Sequence, residues 1–359
     1  MKYPFKDLKV VELASVLAGP AVGMFFAELG AQVIKIENPR TGGDVTRRWK
    51  LPMEPEERSW SAYFCSVNWN KKSLFLDLLE EKDRAVAEEL ICTADIVVSN
   101  FLPASAQKMG MEPERLRTLN PRLIIAQLQS FDDPTDERPA FDMVLQAEAG
   151  FLYMNGEPDR APVKMPVALI DLLAGHQLKE AILIALLNRE RSGEGAIVRV
   201  SLLESALASL ANQASNYLNT GFIPQRMGTA HPNIAPYGDI FQGSDGVSLV
   251  LAVGTERQFQ RLCEVLGKME WLNLPAFCSN AARVQHREAL NAALTSCFRV
   301  QKATYWISQL EQAGVPVALI RNMESVFQLP AAQAMILEEE MEDGTISKRL
   351  RTNAFKIGF

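Results

Sequence analysis

Over roughly its first 220 residues, this chain alternates short apolar runs of strand type with helical segments, and that alternation limits its fold more than any other feature. Lys9 to Leu13 reads as a strand. Ala18-Gly-Pro20 opens a helix with Pro20 suited to its first position, and Gln32 to Glu37 is the next strand. Strand Ser73 to Leu78, helix Glu81 to Thr93, strand Asp95 to Ser99 and strand Leu123 to Leu128 repeat the pattern. Helix Asp142 to Gly150, strand Ile197 to Val200 and a helix from Ser201 continue it. Apolar strands in this order predict an α/β fold with a Rossmann-like, doubly wound, mostly parallel sheet covered on both faces. After Asn219 the texture changes. Gly221 to Pro236 is a connector, followed by a hairpin over Gly238 to Ala252 and helices over Thr255 to Leu266 and Arg287 to Phe298. The expected layout is a large domain over 1–219, a linker and small α+β domain over 220–313, and a return segment over 314–359.

Composition narrows the function. The 359 residues carry a formal charge of -6, so no basic excess exists to neutralise nucleic-acid phosphates or an anionic membrane. The five cysteines form no CxxC pair and read as reduced packing residues of a cytoplasmic protein. The N-terminus enters a strand without a signal-peptide core, and no run has the length of a membrane span. A metal site is not expected, because His176, His231 and His286 are scattered and no His-Glu-x-x-His set occurs. Gly19-Pro-Ala-Val-Gly23 does not match the dinucleotide fingerprint, although Glu37 stands where a ribose-binding acid would. A G-x-S-x-G elbow and a P-loop are also lacking.

The stretch from Met165 to His176 carries the chemistry. Val167 to Ile170 reads as a buried strand, and Leu172 to Asn188 as a helix apolar on nearly every face, hence buried. Asp171 is then a lone carboxylate at a buried strand-to-helix turn, where charge is costly unless hydrogen-bonded or used. Two compatible roles fit. As a helix N-cap it accepts the free N–H groups of the first turn. As a nucleophile it carries an acyl group whose oxygens those N–H groups hold. His176, five residues on, points well round the helix and reads as structural. Lys35, Arg40, Arg47, Arg48, Lys50, Lys71, Lys72 and Lys108 fall near predicted strand and helix ends, and together they suggest a site for an anionic small molecule.

A series of short motifs gives this pattern a relative. Val11-Glu-Leu-Ala-Ser-Val-Leu-Ala-Gly-Pro20, Glu28-Leu-Gly-Ala-Gln-Val-Ile-Lys-Ile-Glu37, Gly43-Asp-Val-Thr-Arg47, Ala94-Asp-Ile-Val-Val-Ser-Asn-Phe-Leu-Pro103, Asp171-Leu-Leu-Ala-Gly175 and His231-Pro-Asn233 run in order along the chain. The chain resembles the family III (CaiB/BaiF-type) CoA-transferases. The resemblance implies an interlocked homodimer with acyl-CoA and carboxylate substrates and no permanently bound cofactor. It casts Asp171 as the nucleophile that forms an aspartyl mixed anhydride. It also implies CoA contacts from Val16, Leu17, Ala18, Asn38, Arg40, Leu76, Leu79, Asn100, Phe101, Lys108, Met109, Phe141 and Asp142. Asn38 and Lys108 stand where many members carry Arg, so Arg40 is expected to take over a phosphate contact. Phe141 replaces the Tyr of many transferases and the catalytic His of the related α-methylacyl-CoA racemases, which leaves a racemase one base short. The Gly-rich lid of formyl-CoA transferases is absent, and the family's closing helix with its Gly-Glu-His motif is expected to be missing beyond Phe359. A racemase-like enzyme and a non-catalytic acyl-CoA-binding relative are the alternatives.

Overall fold

The computed structural model describes residues 3–133, 136 and 138–358. In chain order the first elements are β1 (Lys9–Glu12), α1 (Ala18–Glu28), β2 (Gln32–Glu37), β3 (Lys71–Phe75), α2 (Glu81–Cys92), β4 (Ile96–Ser99), α3 (Pro103–Met109) and β5 (Ile124–Gln129). They are followed by α4 (Asp142–Glu148), α5 (Leu169–Ser192), β6 (Ala196–Ser201) and α6 (Leu202–Ala208). The six strands form one parallel sheet in the order β3-β2-β1-β4-β5-β6. Val10, Val11, Ile96, Val97, Ile124 and Ile125 in its middle are almost wholly buried, which is why these strands read as continuous apolar runs. On one face Val11, Val97 and Ile125 pack with Ala87 and Ile91 of α2. On α1, two glycines permit close approach. A Cβ at Gly19 would lie 2.3 Å from that of Ala14, and one at Gly23 would lie 1.8 Å from the Glu12 carboxylate. These glycines therefore serve packing, not a pyrophosphate turn.

The chain winds from β1 outward through β2 and β3, then crosses back to β4 and winds the other way. The loops after β1 and β4 thus diverge at the carboxyl ends of adjacent strands, where open α/β sheets form a crevice.

Three local expectations are corrected. No strand leads directly into Asp171. Val167 to Ile170 instead leads into α5, which starts at Leu169 with Ala168 as its N-cap. A four-residue apolar run does not distinguish a buried strand from a first helical turn, and β5 pairs directly with β6, leaving no slot between them. Nor is α5 buried all round. Ile170, Ala174, Leu178 and Ile182 face the core, whereas Leu172, Leu183, Ile184 and Leu187 are exposed. Pro20 is the third residue of α1, still within the turn whose N–H groups lack helical partners.

The second compact unit comprises Phe151–Lys164 and Gln213–Leu329. In it, β7 (Tyr237–Gln242), β8 (Ser248–Ala252) and, after helices α7 (Glu256–Leu266), α8 (Arg287–Phe298) and α9 (Ala303–Gln312), β9 (Val317–Leu319) form an antiparallel sheet. Because β9 pairs with β8, this unit runs past Ala313. Its core gathers Phe241, Leu249, Phe259, Leu290, Phe298 and Trp306. The first unit comprises Met1–Gly150, Met165–Asn212 and Pro330–Phe359. Its last part is the hairpin β10 (Ile336–Glu340) and β11 (Ile346–Leu350). The hairpin is fastened by Trp60 Nε1 donating to Asp343 at 3.2 Å, and just beyond it the Thr352 N–H donates to Glu28 at 2.7 Å. Among the described residues no helix is long and apolar enough to cross a membrane.

Candidate active site

Two side chains shape the loop that leaves β1. Asn100, just past β4, accepts the Ser15 N–H at 3.2 Å and donates to the Ser15 carbonyl at 3.1 Å, which ties the two strand ends together at the crevice. Val16 follows with φ 74°, a left-handed conformation that costs a β-branched residue about 1–2 kcal/mol. Its N–H donates to both carboxylate oxygens of Asp44, at 3.1 and 3.4 Å. Asp44 also accepts the Thr46 N–H and hydroxyl and pairs with the Lys35 ammonium at 3.0 Å. Lys35 is fully buried and further donates to Glu12 at 2.9 Å and to the Ala14 carbonyl at 2.7 Å. Burial works against its charge, but the Glu12 and Asp44 carboxylates outweigh burial and raise its pKa. Lys71 completes the group, reaching Glu12 at 2.7 Å and the Pro20 carbonyl of α1 at 2.8 Å. Burial pulls the Lys71 pKa down to about 8.

Asp171 is the third residue of α5 and only 8% exposed. The cap position, Ala168, offers no side-chain acceptor; Asp142 supplies one from α4, accepting the Ile170 N–H at 2.6 Å. Gln146 braces this contact, donating to Asp142 at 2.5 Å and accepting the Met165 N–H at 3.0 Å. The Asp171 carboxylate itself has no hydrogen-bond or ion-pair partner among the described residues. Its N-cap role is therefore not seen, since the free N–H beside it is taken by Asp142. Burial, then the nearby Asp142 charge, pushes the Asp171 pKa up to about 7. A carboxylate in this state is poorly solvated and, once ionised, reactive toward an electrophile. Tyr63 packs, as Val16 and Ala168 do, against the buried cluster of Leu17, Ala21, Met24 and Val67, and its pKa is raised by burial and by the Asp171, Asp142 and Asp44 charges.

Asp171 opens on a cavity of ≈ 260 Å³ lined also by Ser15 to Ala18, Asn100, Phe101 and Phe141. A larger groove of ≈ 620 Å³ runs along the ends of β1 to β4, past Asn38, Arg48, Leu76, Leu79, Lys108 and Met109. Ser15 and Phe101 line both, so the groove and the cavity adjoin at these two residues. A ligand lying in the groove would have one end at this junction, beside the cavity that Asp171 lines. Among the described residues no group of His, Cys, Asp and Glu side chains is placed to hold a metal ion.

Residues 5–359 match the family model described as CoA-transferase family III. The chain belongs to this family. It is 38% identical to a succinate–glutarate CoA-transferase of Agrobacterium fabrum, over 98% of this chain and 89% of the relative. It is 36% identical to an acetyl-CoA:oxalate CoA-transferase of Acetobacter aceti, over 94% and 86% respectively. A solved structure of a CaiB/BaiF family protein from Brucella suis superposes with a TM-score of 0.85 at 38% identity, covering 99% of this chain and 93% of that one.

In this family III CoA-transferase the residues expected at the CoA site divide into two groups. Val16, Leu17, Ala18, Asn100, Phe101 and Phe141 line the Asp171 cavity, and Asn38, Leu76, Leu79, Lys108 and Met109 line the groove together with Phe101. Two turn elsewhere. Arg40 is engaged by Asp77 and Glu80 and does not line the groove, while the Asp142 carboxylate is spent on the start of α5. The Asn100 amide is bound to Ser15 at both ends and fixes the wall rather than reaching for a ligand. The expected basic cluster is also thinner. Lys35, Lys71 and Arg47 are paired internally with Glu12, Asp44 and Glu37, and Lys50 donates to three backbone carbonyls. Arg48 and Lys108 are the cations left along the groove wall beside the buried Lys35. His176 is exposed rather than packed. Sequence reasoning passed over Asp44 and Tyr63 as site residues. The Asp-x-Thr spacing at Asp44 is a turn signal that marks a local role for that carboxylate; nothing comparable marks Tyr63.

Proposed function

We propose that this transferase, working in the cytoplasm as an interlocked homodimer, moves CoA between short carboxylic acids through a mixed anhydride on Asp171. The observation that carries this reading is a buried carboxylate without a partner among the described residues, lining a cavity that adjoins a larger groove along the strand ends. One Asp171 oxygen attacks the thioester carbonyl; the new C–O bond forms as the C–S bond breaks, and the CoA thiolate departs into the groove. The thiolate then attacks the Asp171 carbonyl of the anhydride, freeing the donor acid and leaving an aspartyl thioester. The acceptor carboxylate displaces the thiolate to give a second anhydride. Attack of the thiolate on the acceptor's acyl carbon returns Asp171 and releases the new acyl-CoA. Each step exchanges one anion for another, so no strong base is required.

The cavity walls serve this sequence by excluding water, which would hydrolyse an anhydride. Arg48 and Lys108 are the cations assigned to the phosphates of CoA in the groove. The similar enzymes named for succinate, glutarate and oxalate favour short dicarboxylic acids as the exchanged pair. The exposed Leu172, Leu183, Ile184 and Leu187 of α5 support a second copy covering that helix. Light scattering giving twice the 39.9 kDa chain mass checks this point.

The decisive experiment exposes the enzyme to a panel of acyl-CoAs and traps intermediates with hydroxylamine. A hydroxamate on Asp171, absent in Asp171→Ala, supports the route. Exchange of the acyl α-proton without an adduct would favour the racemase reading instead.

A further inference from the structure

We propose that Asp44 is a positioning residue of this transferase: its carboxylate holds Val16 in the left-handed conformation and so sets Leu17 and Ala18 against the Asp171 cavity. The inference rests on the reading of Asp171 as nucleophile. Four non-glycine residues among those described have positive φ, and Val16 is the one with a β-branched side chain. Such a residue keeps this conformation only where its surroundings dictate it.

Asn100 holds the Ser15 end of this peptide, and at the Val16 N–H itself the surroundings act through one side chain, Asp44. Both Asp44 oxygens accept from the Val16 N–H, and the same oxygens are fixed by Thr46 and Lys35. The Asp44 N–H donates to Glu37 at 2.8 Å, and Glu37 is gripped by Arg47 at 2.6 and 2.8 Å. Lys35 and Glu37 both belong to β2, so the clamp extends from a rigid strand to the loop after β1. Beyond Val16, Leu17 is the N-cap of α1 and Ala18 its first residue, and all three line the Asp171 cavity. Releasing Val16 to a negative φ redirects the chain into α1 and swings this wall away from the carboxylate. Asp44 acts through the Val16 backbone.

The test is a double-mutant cycle of wild type, Asp44→Asn, Val16→Gly and the double variant, with kcat and KM measured for CoA transfer. Glycine adopts positive φ as readily as negative, so a chain with glycine at position 16 has little need of the clamp. In Asp44→Asn the remaining oxygen stays with Thr46 and an amide NH2 faces the Val16 N–H and the Lys35 ammonium, so with valine at position 16 kcat is expected to fall about tenfold or more, since displaced reacting groups lose rate on this scale. With glycine there, the same change is expected to cost under about threefold, and KM moves less than kcat in both backgrounds. Equal fold-losses in the two backgrounds, or no loss at all, would overturn the proposal. A merely structural role for Asp44 lowers the melting temperature alike in both and gives equal losses.

If Asp44→Asn does not fold, Val16→Pro and Val16→Gly are compared with Asp44 intact. Proline fixes a negative φ and removes the N–H. Two folded variants with kcat about tenfold lower for proline support the clamp, and equal kcat refutes it. The nucleophile reading fails separately, by transfer activity that survives Asp171→Ala, and the cycle would still decide whether Asp44 acts through Val16.

Discussion

Replacing Asp171 with Asn should stabilise the fold by an amount that grows with pH. The folded chain keeps the Asp171 proton to about pH 7, whereas an unfolded chain releases it near the ordinary value of 3.8. Between those values the folded state binds more protons, so the contribution of this group to stability falls as pH rises. Below pH 3.8 both states are neutral and the penalty vanishes; above pH 7 both are ionised and it is complete. Roughly three pH units at about 1.4 kcal/mol each give a penalty of about 4 kcal/mol at alkaline pH. The amide of Asn is also buried without an assured partner, at a cost of about 1–3 kcal/mol that does not vary with pH. The informative quantity is therefore the slope. In calorimetric melts without ligand from pH 4.5 to 8.5, Asp171→Asn should gain on wild type by several kcal/mol, with most of the gain between pH 5 and 7.5. All other titrating groups are shared and cancel in the difference. A difference that stays flat with pH would refute the claim that Asp171 is ionised at an energetic cost.

Three further outcomes are expected. Asp142→Asn keeps an acceptor for the Ile170 N–H but removes the charge that helps to raise the Asp171 pKa; the rise of kcat with pH should move to lower pH, with little change in melting temperature. Gly23→Ala drives a Cβ into the Glu12 carboxylate and should cost about 3 kcal/mol or more in denaturant melts, because it disturbs the buried pairs with Lys35 and Lys71. Arg48→Ala should raise KM for acyl-CoA about tenfold, the worth of a charge-assisted hydrogen bond to phosphate, and by more than Arg40→Ala does, since Arg40 is held by Asp77 and Glu80.

The parallel sheet was legible because its inner strands are largely buried and therefore stand out as apolar runs: β2 was read to the residue, and β1, β4, β5 and the edge strand β6 to within one residue at either end. The run before Asp171 was misread because four apolar residues satisfy strand and helix patterns equally, and the deciding contact, Asp142 to Ile170, spans 28 residues. The Asp171 position itself was visible as a lone acid in an apolar stretch. Its missing partner was not, since partnership depends on three-dimensional neighbours. Charge misled for the same reason. Lys35, Arg47 and Lys71 look like ligand cations along the chain, yet each pairs with an acid on another strand or loop. The Val16 turn carries no glycine to announce it, and only the structure exposes Asp44 as its anchor.

The central claim is that Asp171 becomes covalently acylated during transfer. Intact-protein mass spectrometry, after mixing with short dicarboxylyl-CoA donors and hydroxylamine, tests it directly. The account predicts a single hydroxamate mapping to Asp171 and none in Asp171→Ala. Turnover of the same donors with no adduct at that residue would contradict it.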